Sequence, residues 1–471
     1  MMRYLHETIK LIKDGKISEK EHLEELIDRV KEDEKINSFI TLDIEGARKR
    51  ADKLPDGPLH GAIVGIKDNV NVKGLKTTCA SRMLSDFTSV YDADITKFIR
   101  ESGANILGKL NMDEFAMGSS NETSFFGPVK NPIDNTLVPG GSSGGSAAAV
   151  SMGFVDVSIG TDTGGSVRQP SSFCSVVGVK PTYGAVSRYG VTSLANTFDT
   201  VGTIGRCVKD AYLLLQNINK NTTHDMTKIA VELPDLYSSD EEAIAALKGK
   251  KIAIYKNFND FHFEEPVRKA YENSIDLLIE NGVQIVEEEF KYMDYAVGCY
   301  YNLIDSECSS NLSRFDGIRY AGVEFKGSVE EYMTEVRSLG FSDEVKRRIL
   351  LGMYILSSDN RDQFYGKAQL IREGIKEDYD RIFKKVDAIL TPTAIELPFK
   401  LGSKFSDTRK MMEGDLLTVA TNIAGVPAIS VPTSAKREIN PGMQFIADKK
   451  NDYKLASIAM GFEAIIKENA R

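Results

Sequence analysis

The feature of this sequence that most constrains its fold is a recurring order of helix and short apolar strand. Residues Asp94–Ser102 have a helical pattern, Gly103 follows as a stop, and Asn105–Leu107 is strand-like. The same order recurs at residues 265–286, and a long helical pattern leads into another strand at residues 363–390. Helices that alternate with buried strands are typical of an α/β sheet. The sequence therefore predicts an α/β fold.

Nothing in the 471 residues forces a division into several domains, because the chain has no short-period repeat and no low-complexity tract. With 42% hydrophobic residues it can bury a large core. Its formal net charge of −9 argues against a protein that mainly binds the phosphate backbone of nucleic acids. The centre, residues 115–205, is rich in Gly, Ser and Thr and favours tight loops. Residues 219–247 are polar and are predicted to form a surface excursion or lid.

We expect a cytoplasmic protein that does not associate with a membrane. The uncharged run Leu416–Ala435 is long enough to span a bilayer, but its two prolines predict a buried helix followed by a short strand. Charged residues from Arg3 onward interrupt any signal peptide. The five cysteines are scattered without a C-x-x-C pair, which fits reduced thiols and offers no metal framework.

One lysine is a candidate general base. Lys67 ends the apolar run Ala62–Ile66, which is predicted to be a buried strand. Full burial can lower the pKa of a lysine by about 3–5 units, which brings it close to neutral pH. Alternatively, the side chain extends from the strand end to solvent. Because the chain has only five histidines, a hydrolytic enzyme of this sequence need not use histidine as its base.

Two glycine–serine loops could complete such a site. Gly140–Ser146 precedes a helix-prone segment, so it either presents N–H groups to an anion or is a flexible connector. Asp162–Arg168 follows an apolar strand and carries Ser166 after two glycines, which exposes a hydroxyl beside free N–H groups or forms an ordinary turn. One crossover would bring Ser142 and Ser166 to the same sheet edge. With Lys67, they would form an acyl-transfer site without histidine.

These motifs resemble those of the amidase signature family. The resemblance rests on the order and spacing of four segments: Gly65–Asn69, Pro139–Ser146, Asp162–Pro170 and Val179–Gly184. It implies one large domain over residues 1–471, with a mixed β-sheet covered by helices on both faces. N-terminal helices would occupy residues 1–55, the core about 60–210, and a substrate-binding second half about 250–471.

The resemblance also implies roles for individual residues. Ser166 would form the acyl-enzyme, Ser142 would bridge as the residue after a cis peptide bond, and Lys67 would be the base. The oxyanion would be held by the N–H of Ser166 itself and by three further backbone N–H groups, those of Thr163, Gly164 and Gly165. The chain itself would bind no metal and no cofactor.

Within the family, four further segments resemble the glutaminase subunits of tRNA-dependent amidotransferases: Asn111–Ser120, Val186–Gly190, Arg314–Tyr320 and Glu344–Ile349. This resemblance implies that glutamine is the substrate and that its ammonia passes to a partner, the B subunit. That partner would use ATP and Mg²⁺ to amidate Glu-tRNA(Gln), with Asp-tRNA(Asn) as a second candidate, and would bind most of the tRNA. A small third component, the C subunit, would hold the two together.

The same resemblance implies three substrate-binding side chains, those of Tyr300, Arg348 and Asp415. A guanidinium suits the α-carboxylate of glutamine, and a carboxylate suits its α-ammonium group. The neighbours Tyr301 and Arg347 are the alternatives within their pairs. After the tyrosine pair, Asn302 and Asp305 are more polar than the family pattern.

Three other interpretations stay open from the sequence. The chain could be a stand-alone amidase of another small carboxamide, or a non-catalytic anion-binding module built on the helix start at Gly144. It could also be a cysteine hydrolase centred on Cys79 or Cys174, although neither has a histidine beside it in sequence.

Overall fold

A single mixed β-sheet joins both halves of the chain. The structure, a computed structural model, describes residues 2–256, 258, 261–320, 327–404 and 408–470. Eleven strands among these residues form the sheet: β1 Phe39–Leu42, β2 Ile63–Lys67, β3 Asn105–Leu110, β4 Val157–Asp162, β5 Val177–Lys180, β6 Thr200–Gly205, β7 Lys251–Tyr255, β8 Gln284–Glu288, β9 Ala388–Pro392, β10 Ala428–Pro432 and β11 Gly442–Ile446. Their order is β1-β3-β2-β4-β6-β5-β10-β11-β9-β7-β8.

Sixteen α-helices lie in the described ranges: α1 Leu5–Lys13, α2 Glu19–Val30, α3 Ile44–Ala51, α4 Asp94–Glu101, α5 Gly144–Met152, α6 Arg168–Phe173, α7 Val208–Ile218, α8 Asp240–Ala245, α9 Glu265–Glu280, α10 Ala296–Asn311, α11 Val329–Gly340, α12 Asp343–Leu356, α13 Lys367–Phe383, α14 Thr408–Glu413, α15 Val419–Ala424 and α16 Asp452–Asn469. Helices α2, α3 and α5 share one core with the sheet, and α4 and α7 share a second core on its other face. The predicted α/β fold, with helices on both faces of a mixed sheet, is confirmed.

Parallel and antiparallel pairing divide the sheet into three parts. Strands β3, β2 and β4 are parallel neighbours in the first half of the chain, and β9, β7 and β8 are parallel neighbours in the second. Between them, β6, β5, β10 and β11 pair antiparallel. Because β5 pairs directly with β10, the two halves share one continuous sheet. Loops from both halves can therefore meet at one site.

Most of the predicted elements lie within a few residues of their expected positions. Ser18 begins α2 with the capping box that its spacing to Glu21 indicates, and the run from Leu416 forms α15 and then β10. The edge strand β1 was not predicted, because four residues are too few to show a period. No helix in the described part of the chain is long and apolar enough to cross a membrane.

The polar stretch 219–247 runs over the surface and makes hydrogen bonds within itself and to α4. Asn219 Nδ2 donates to the carbonyl of Val231 at 2.7 Å, and His224 Nδ1 lies 2.7 Å from Asp94 Oδ1. The stretch ends in α8, whose Ala243 is fully buried in the main core. The stretch is therefore a surface segment that is held to the main core at α8.

Candidate active site

Lys67 lies fully buried at the end of β2, and oxygen atoms of hydroxyl groups surround its amine. Nζ is 2.8 Å from Ser142 Oγ, 2.7 Å from Ser143 Oγ and 3.0 Å from Thr161 Oγ1. Within the described residues, no carboxylate forms an ion pair with it. Burial lowers the pKa of Lys67 to about 7, and three buried aspartates at longer range oppose this shift. The side chain therefore does not extend to solvent.

Ser142, which faces this lysine, lies in a loop whose backbone is held at several points. The peptide bond between Gly141 and Ser142 is cis, as the sequence resemblance implies. The Gly141 N–H donates to Gln169 Oε1 at 2.9 Å, and the Ser142 carbonyl accepts from the Asp113 N–H at 3.2 Å. Ser142 is fully buried, so its hydroxyl has a fixed neighbour in the lysine amine.

The two glycine–serine loops lie side by side. The N–H of Ser143 donates to the carbonyl oxygen of Ser166 at 3.1 Å. From residue 153 to residue 174, Ser166 is the one residue that is not buried. Its hydroxyl makes no hydrogen bond within the part of the chain that the structure describes. A partly exposed, uncommitted hydroxyl in a buried loop is accessible to a small substrate.

A buried ion pair fixes the loop that carries Ser166. Asp162 Oδ1 lies 2.9 Å from Arg168 Nη2, and both side chains are fully buried. The same carboxylate accepts the N–H groups of Gly165 at 2.9 Å and Val167 at 3.2 Å. Burial opposes ionisation of Asp162, but Arg168 outweighs it and holds the pKa of the carboxyl well below its usual range. Arg168 also donates to four oxygen-bearing residues of the second half of the chain, Thr418, Thr421, Asn422 and Gln444.

The backbone N–H groups that were predicted to hold an oxyanion are not all free. Those of Thr163, Gly164 and Ser166 have no acceptor among the described residues. The Gly165 N–H, in contrast, donates to Asp162, which corrects the prediction that it is an oxyanion donor. Gly165 has a φ of +134°, which favours glycine, and a Cβ there would crowd Thr418.

Asp113 is a buried carboxylate beside the serine loop that the sequence analysis did not single out. Its Oδ2 accepts the Asn121 N–H at 2.9 Å, and its Oδ1 accepts the Thr123 hydroxyl at 2.9 Å. A Cβ on Gly141 would overlap this carboxylate, so the two are in close contact. Burial raises the pKa of Asp113 to about 6. The one signal in the sequence was its place in the segment Asn111–Ser120.

A cavity of about 510 Å³ opens next to this loop. Residues from both halves of the chain line it: Gly118, Ser119, Ser120, Glu122, Thr123, Tyr301, Ser342, Asp343, Glu344, Arg347, Arg348, Met411 and Met412. At Gly141 a Cβ would meet the backbone nitrogen of Ser120, so the cavity wall adjoins the serine loop. The cavity is therefore large enough for a small carboxamide, and its wall adjoins the loop that carries Ser142.

Asp415 lies beside the cavity and is hydrogen-bonded to two residues that line it, Tyr301 and Ser119. The Tyr301 hydroxyl donates to Asp415 Oδ2 at 2.7 Å, and the Ser119 hydroxyl donates to Asp415 Oδ1 at 3.1 Å. Burial raises the pKa of Asp415 to about 6. The carboxylate is thus available to a cationic group near neutral pH.

Arg348 lies over the ring of Tyr301, with its guanidinium carbon 5.1 Å from the ring centre. Its Nε donates to Glu344 Oε1 at 2.7 Å, and its Nη1 lies 3.5 Å from Asp305 Oδ1. The neighbouring Arg347 forms a two-point contact with Glu344 at 2.8 and 2.7 Å. Both arginines line the cavity, but Arg348 is the buried one of the pair.

Tyr300 and Tyr301 have different surroundings. Tyr300 packs edge to face against Phe198, with the ring centres 5.7 Å apart, and a Cβ on Gly164 would overlap its hydroxyl. Tyr300 therefore lies against the loop of Ser166, whereas Tyr301 lies against Asp415. The structure brings all nine predicted site residues to two adjoining places, the serine–lysine cluster and the cavity.

The sites considered for metal or thiol chemistry lie outside this arrangement. Burial raises the pKa of Cys79 to about 12 and that of Cys174 above its usual range, so neither is a reactive thiolate. In the described ranges, one group of side chains has metal-ligand spacing, formed by His6, Cys207 and Asp210. Asp210 there already accepts the N–H groups of Leu5 and His6 at 2.7 and 3.0 Å.

Comparison with known proteins decides the family. The family model described as Amidase matches residues 21–456. The chain belongs to the amidase family. Three relatives of this amidase carry the same name, that of the A subunit of glutamyl-tRNA(Gln) amidotransferase. Those from Clostridium botulinum strain Loch Maree and from an Exiguobacterium species are 45% and 43% identical to it, over 97% and 96% of this chain and 96% and 95% of theirs.

The third relative of this amidase is a solved structure. It is the crystal structure of the same-named protein from Thermotoga maritima, with a TM-score of 0.80 at 37% identity. The match covers 95% of this chain and 92% of that chain. The fold, including the continuous sheet that joins the two halves, is therefore that of a known amidase structure.

Proposed function

We propose that this amidase is the glutaminase subunit of a glutamyl-tRNA(Gln) amidotransferase. The observation that carries the proposal is that hydroxyl groups, and no carboxylate among the described residues, contact the amine of Lys67. Its Nζ lies 2.8 Å from the Ser142 hydroxyl, beside the loop of Ser166. The names of the relatives, which match over nearly their whole length, support the assignment to an amidotransferase.

In the proposed reaction, Ser166 Oγ attacks the amide carbon of glutamine. Its proton passes to Ser142, and Ser142 passes its own proton to the neutral amine of Lys67. The negative oxygen of the tetrahedral intermediate is held by the free N–H groups of Thr163, Gly164 and Ser166. When the carbon–nitrogen bond breaks, Lys67 returns the proton through Ser142, so that ammonia leaves and a glutamyl ester stays on Ser166.

Water then hydrolyses the ester by the reverse proton path and releases glutamate. The same lysine serves as base toward the attacking water and as acid toward the departing Ser166 oxygen. A pKa of about 7 suits both tasks, because neither protonation state of Lys67 is costly near neutral pH.

We assign the cavity to the amino-acid part of glutamine. Asp415, already oriented by Tyr301 and Ser119, would bind the α-ammonium group, and Arg348 would bind the α-carboxylate. Tyr300 lies against Gly164 and would border the reacting amide rather than the charged end. Arg347 binds Glu344 through two nitrogens, whereas Arg348 binds it through Nε alone, which favours Arg348 within the pair.

The proposal extends to partners. Ammonia would pass to the B subunit, which would use ATP and Mg²⁺ to amidate Glu-tRNA(Gln) and would bind most of the tRNA. The small C subunit would complete a cytoplasmic complex. The net charge of −9 fits a chain that leaves tRNA binding to its partner.

The test is the release of ammonia by the full chain, alone and with the B and C subunits. We expect turnover of glutamine that increases in the complex, and little turnover of simple aryl or aliphatic amides. Turnover of those amides with none of glutamine, in both preparations, would identify a stand-alone amidase instead. Undiminished turnover after Ser166→Ala would contradict the mechanism.

A further inference from the structure

We propose that Asp305 determines specificity at the carboxylate end of the substrate, because it competes with a ligand carboxylate for the guanidinium of Arg348. Binding of glutamine is then coupled to the uptake of a proton by Asp305. The inference rests on the proposed function, which places the α-carboxylate of glutamine at Arg348.

The first observation is the incomplete contact between Asp305 and Arg348. Asp305 lies on α10 one turn after Tyr301 and is 2% exposed. Its Oδ1 is 3.5 Å from Arg348 Nη1 and makes no hydrogen bond in the described part of the chain. Glu344 already holds the Arg348 Nε at 2.7 Å. Asp305 therefore contributes negative charge to the guanidinium rather than a hydrogen bond that orients it.

The second observation is the close approach of α10 and α12 at this point. A Cβ on Gly352 of α12 would overlap the backbone carbonyl of Asp305. Because the helices touch here, water has little access to the carboxylate. Burial raises the pKa of Asp305 to about 6, Arg348 and Arg347 oppose the shift, and Glu344 supports it.

The other titratable groups around Asp305 cannot take its place. The arginines hold the pKa of Glu344 at about 2, against the effect of its burial, so it stays ionised. Cys308, on the same helix as Asp305, is neutral because burial raises its pKa to about 12. Of the three groups Asp305, Glu344 and Cys308, Asp305 is thus the one that a nearby negative charge can titrate near pH 7. Asp415, whose pKa is also about 6, would face the α-ammonium group of glutamine, which favours its ionised form.

The charges around Arg348 explain why the binding of glutamine is coupled to the binding of a proton. Without a ligand, the guanidinium groups of Arg347 and Arg348 balance the carboxylates of Glu344 and Asp305. A ligand carboxylate at Arg348 Nη2, which has no hydrogen-bond partner among the described residues, adds a third negative charge to a buried cluster. Protonation of Asp305 restores the balance, so binding of a carboxylate and binding of a proton favour each other. A ligand without a carboxylate has no such effect.

Calorimetry of glutamine binding tests the coupling. Glutamine is titrated at pH 7 into the full chain carrying Ser166→Ala, in buffers of different ionisation enthalpy. We expect uptake of about half a proton or more for each glutamine bound. With Asp305→Asn added, we expect this uptake to vanish and affinity at pH 8 to rise by about threefold or more. Asp305→Ser is a second neutral variant if Asp305→Asn folds poorly.

The matched control is Asp343→Asn. Asp343 also lines the cavity and lies on α12, but its side chain is exposed and pairs with Lys346. This variant should keep the proton uptake of the parent. Equal uptake with and without Asp305 would overturn the inference while the glutaminase proposal stands. Absence of glutamine binding together with absence of ammonia release by the unmutated chain would overturn the proposed function itself.

Discussion

Two buried lysines on neighbouring strands of the same sheet have opposite surroundings. Lys67 ends β2, and Lys109 lies one residue before the end of β3, in register with Ile66. Because side chains alternate along a strand, Lys109 points to the face of Ile66 and Lys67 points to the other face. Lys109 Nζ meets the carboxylate of Asp68 at 3.0 Å, whereas Lys67 meets hydroxyl groups.

The two lysines differ in the charge of the side chains that contact the amine. Both side chains are fully buried. A carboxylate in contact compensates the positive charge of Lys109, so this lysine is part of a structural ion pair. Lys67 has no such compensation among the described residues, and its pKa falls to about 7. The side chain in contact with the amine, rather than burial alone, thus distinguishes the structural lysine from the one proposed as base.

The largest expected effect comes from Ser166→Ala, which removes the proposed nucleophile. Ammonia release from glutamine should fall by about 10⁴-fold or more, with the thermal midpoint nearly unchanged because the hydroxyl makes no hydrogen bond to the described residues. Ser151→Ala, at the end of α5, is the control and should keep full activity. A residual rate within tenfold of the parent would exclude Ser166 as the nucleophile.

Lys67→Met should lower kcat far more than it changes the free energy of unfolding. We expect a loss of about 10²–10⁴-fold in kcat, because proton transfer to and from Ser142 stops. The free energy of unfolding should change less than in Lys109→Met, because two effects oppose each other. Methionine loses the hydrogen bonds to Ser142, Ser143 and Thr161, but it also removes an amine whose charged form is costly to bury. Denaturant unfolding and steady-state kinetics of the same preparation measure both quantities.

Lys109→Met should give the reverse pattern. It leaves the Asp68 carboxylate buried without its cation, and loss of one partner of a buried pair costs about 3–5 kcal/mol. The protein that stays folded should keep most of its glutaminase activity. Asp68→Asn in the same chain should recover part of the stability. If Lys109→Met abolished catalysis in a stable protein, the contrast between the two lysines would be wrong.

The smallest expected effect is the change of kcat/KM with pH. Protonation of Lys67 removes the base. In Asp305→Asn, which lacks the proton coupled to glutamine binding, kcat/KM should therefore fall by about tenfold for each pH unit below pH 7 and level off above it. Below pH 6 the fall should steepen, because Asp415 also becomes protonated and loses its attraction for the α-ammonium group. A flat profile between pH 5 and 8 would contradict a neutral lysine.

The sequence was most informative where local chemistry determines structure. The α/β order, the capping box at Ser18 and the buried strand that ends at Lys67 follow from residue patterns of a few positions. The contacts of the site span much longer separations. Arg168 reaches Asn422 and Tyr301 reaches Asp415, so their partners could not be identified without the sheet that joins the two halves.

The same limit explains the errors within the site. The Gly165 N–H was expected to be free because a Gly-Gly-Ser turn exposes its amides, yet the carboxylate of Asp162, at the end of β4, captures it. Asp113 was not recognised as part of the site, and Asp305 was noted only as a departure from the family pattern, because a single carboxylate carries no periodic signal. Their roles depend on what packs against them in space.

The measurement that tests the central claim most directly is the titration of Lys67 itself. In a chain labelled with ¹³C at the lysine ε carbon, the Lys67 resonance is identified by its absence in Lys67→Met. Its chemical shift is then followed from pH 5 to pH 11. We expect the titration midpoint of Lys67 at about pH 7. A midpoint near pH 10, the usual range of a charged lysine, would contradict it.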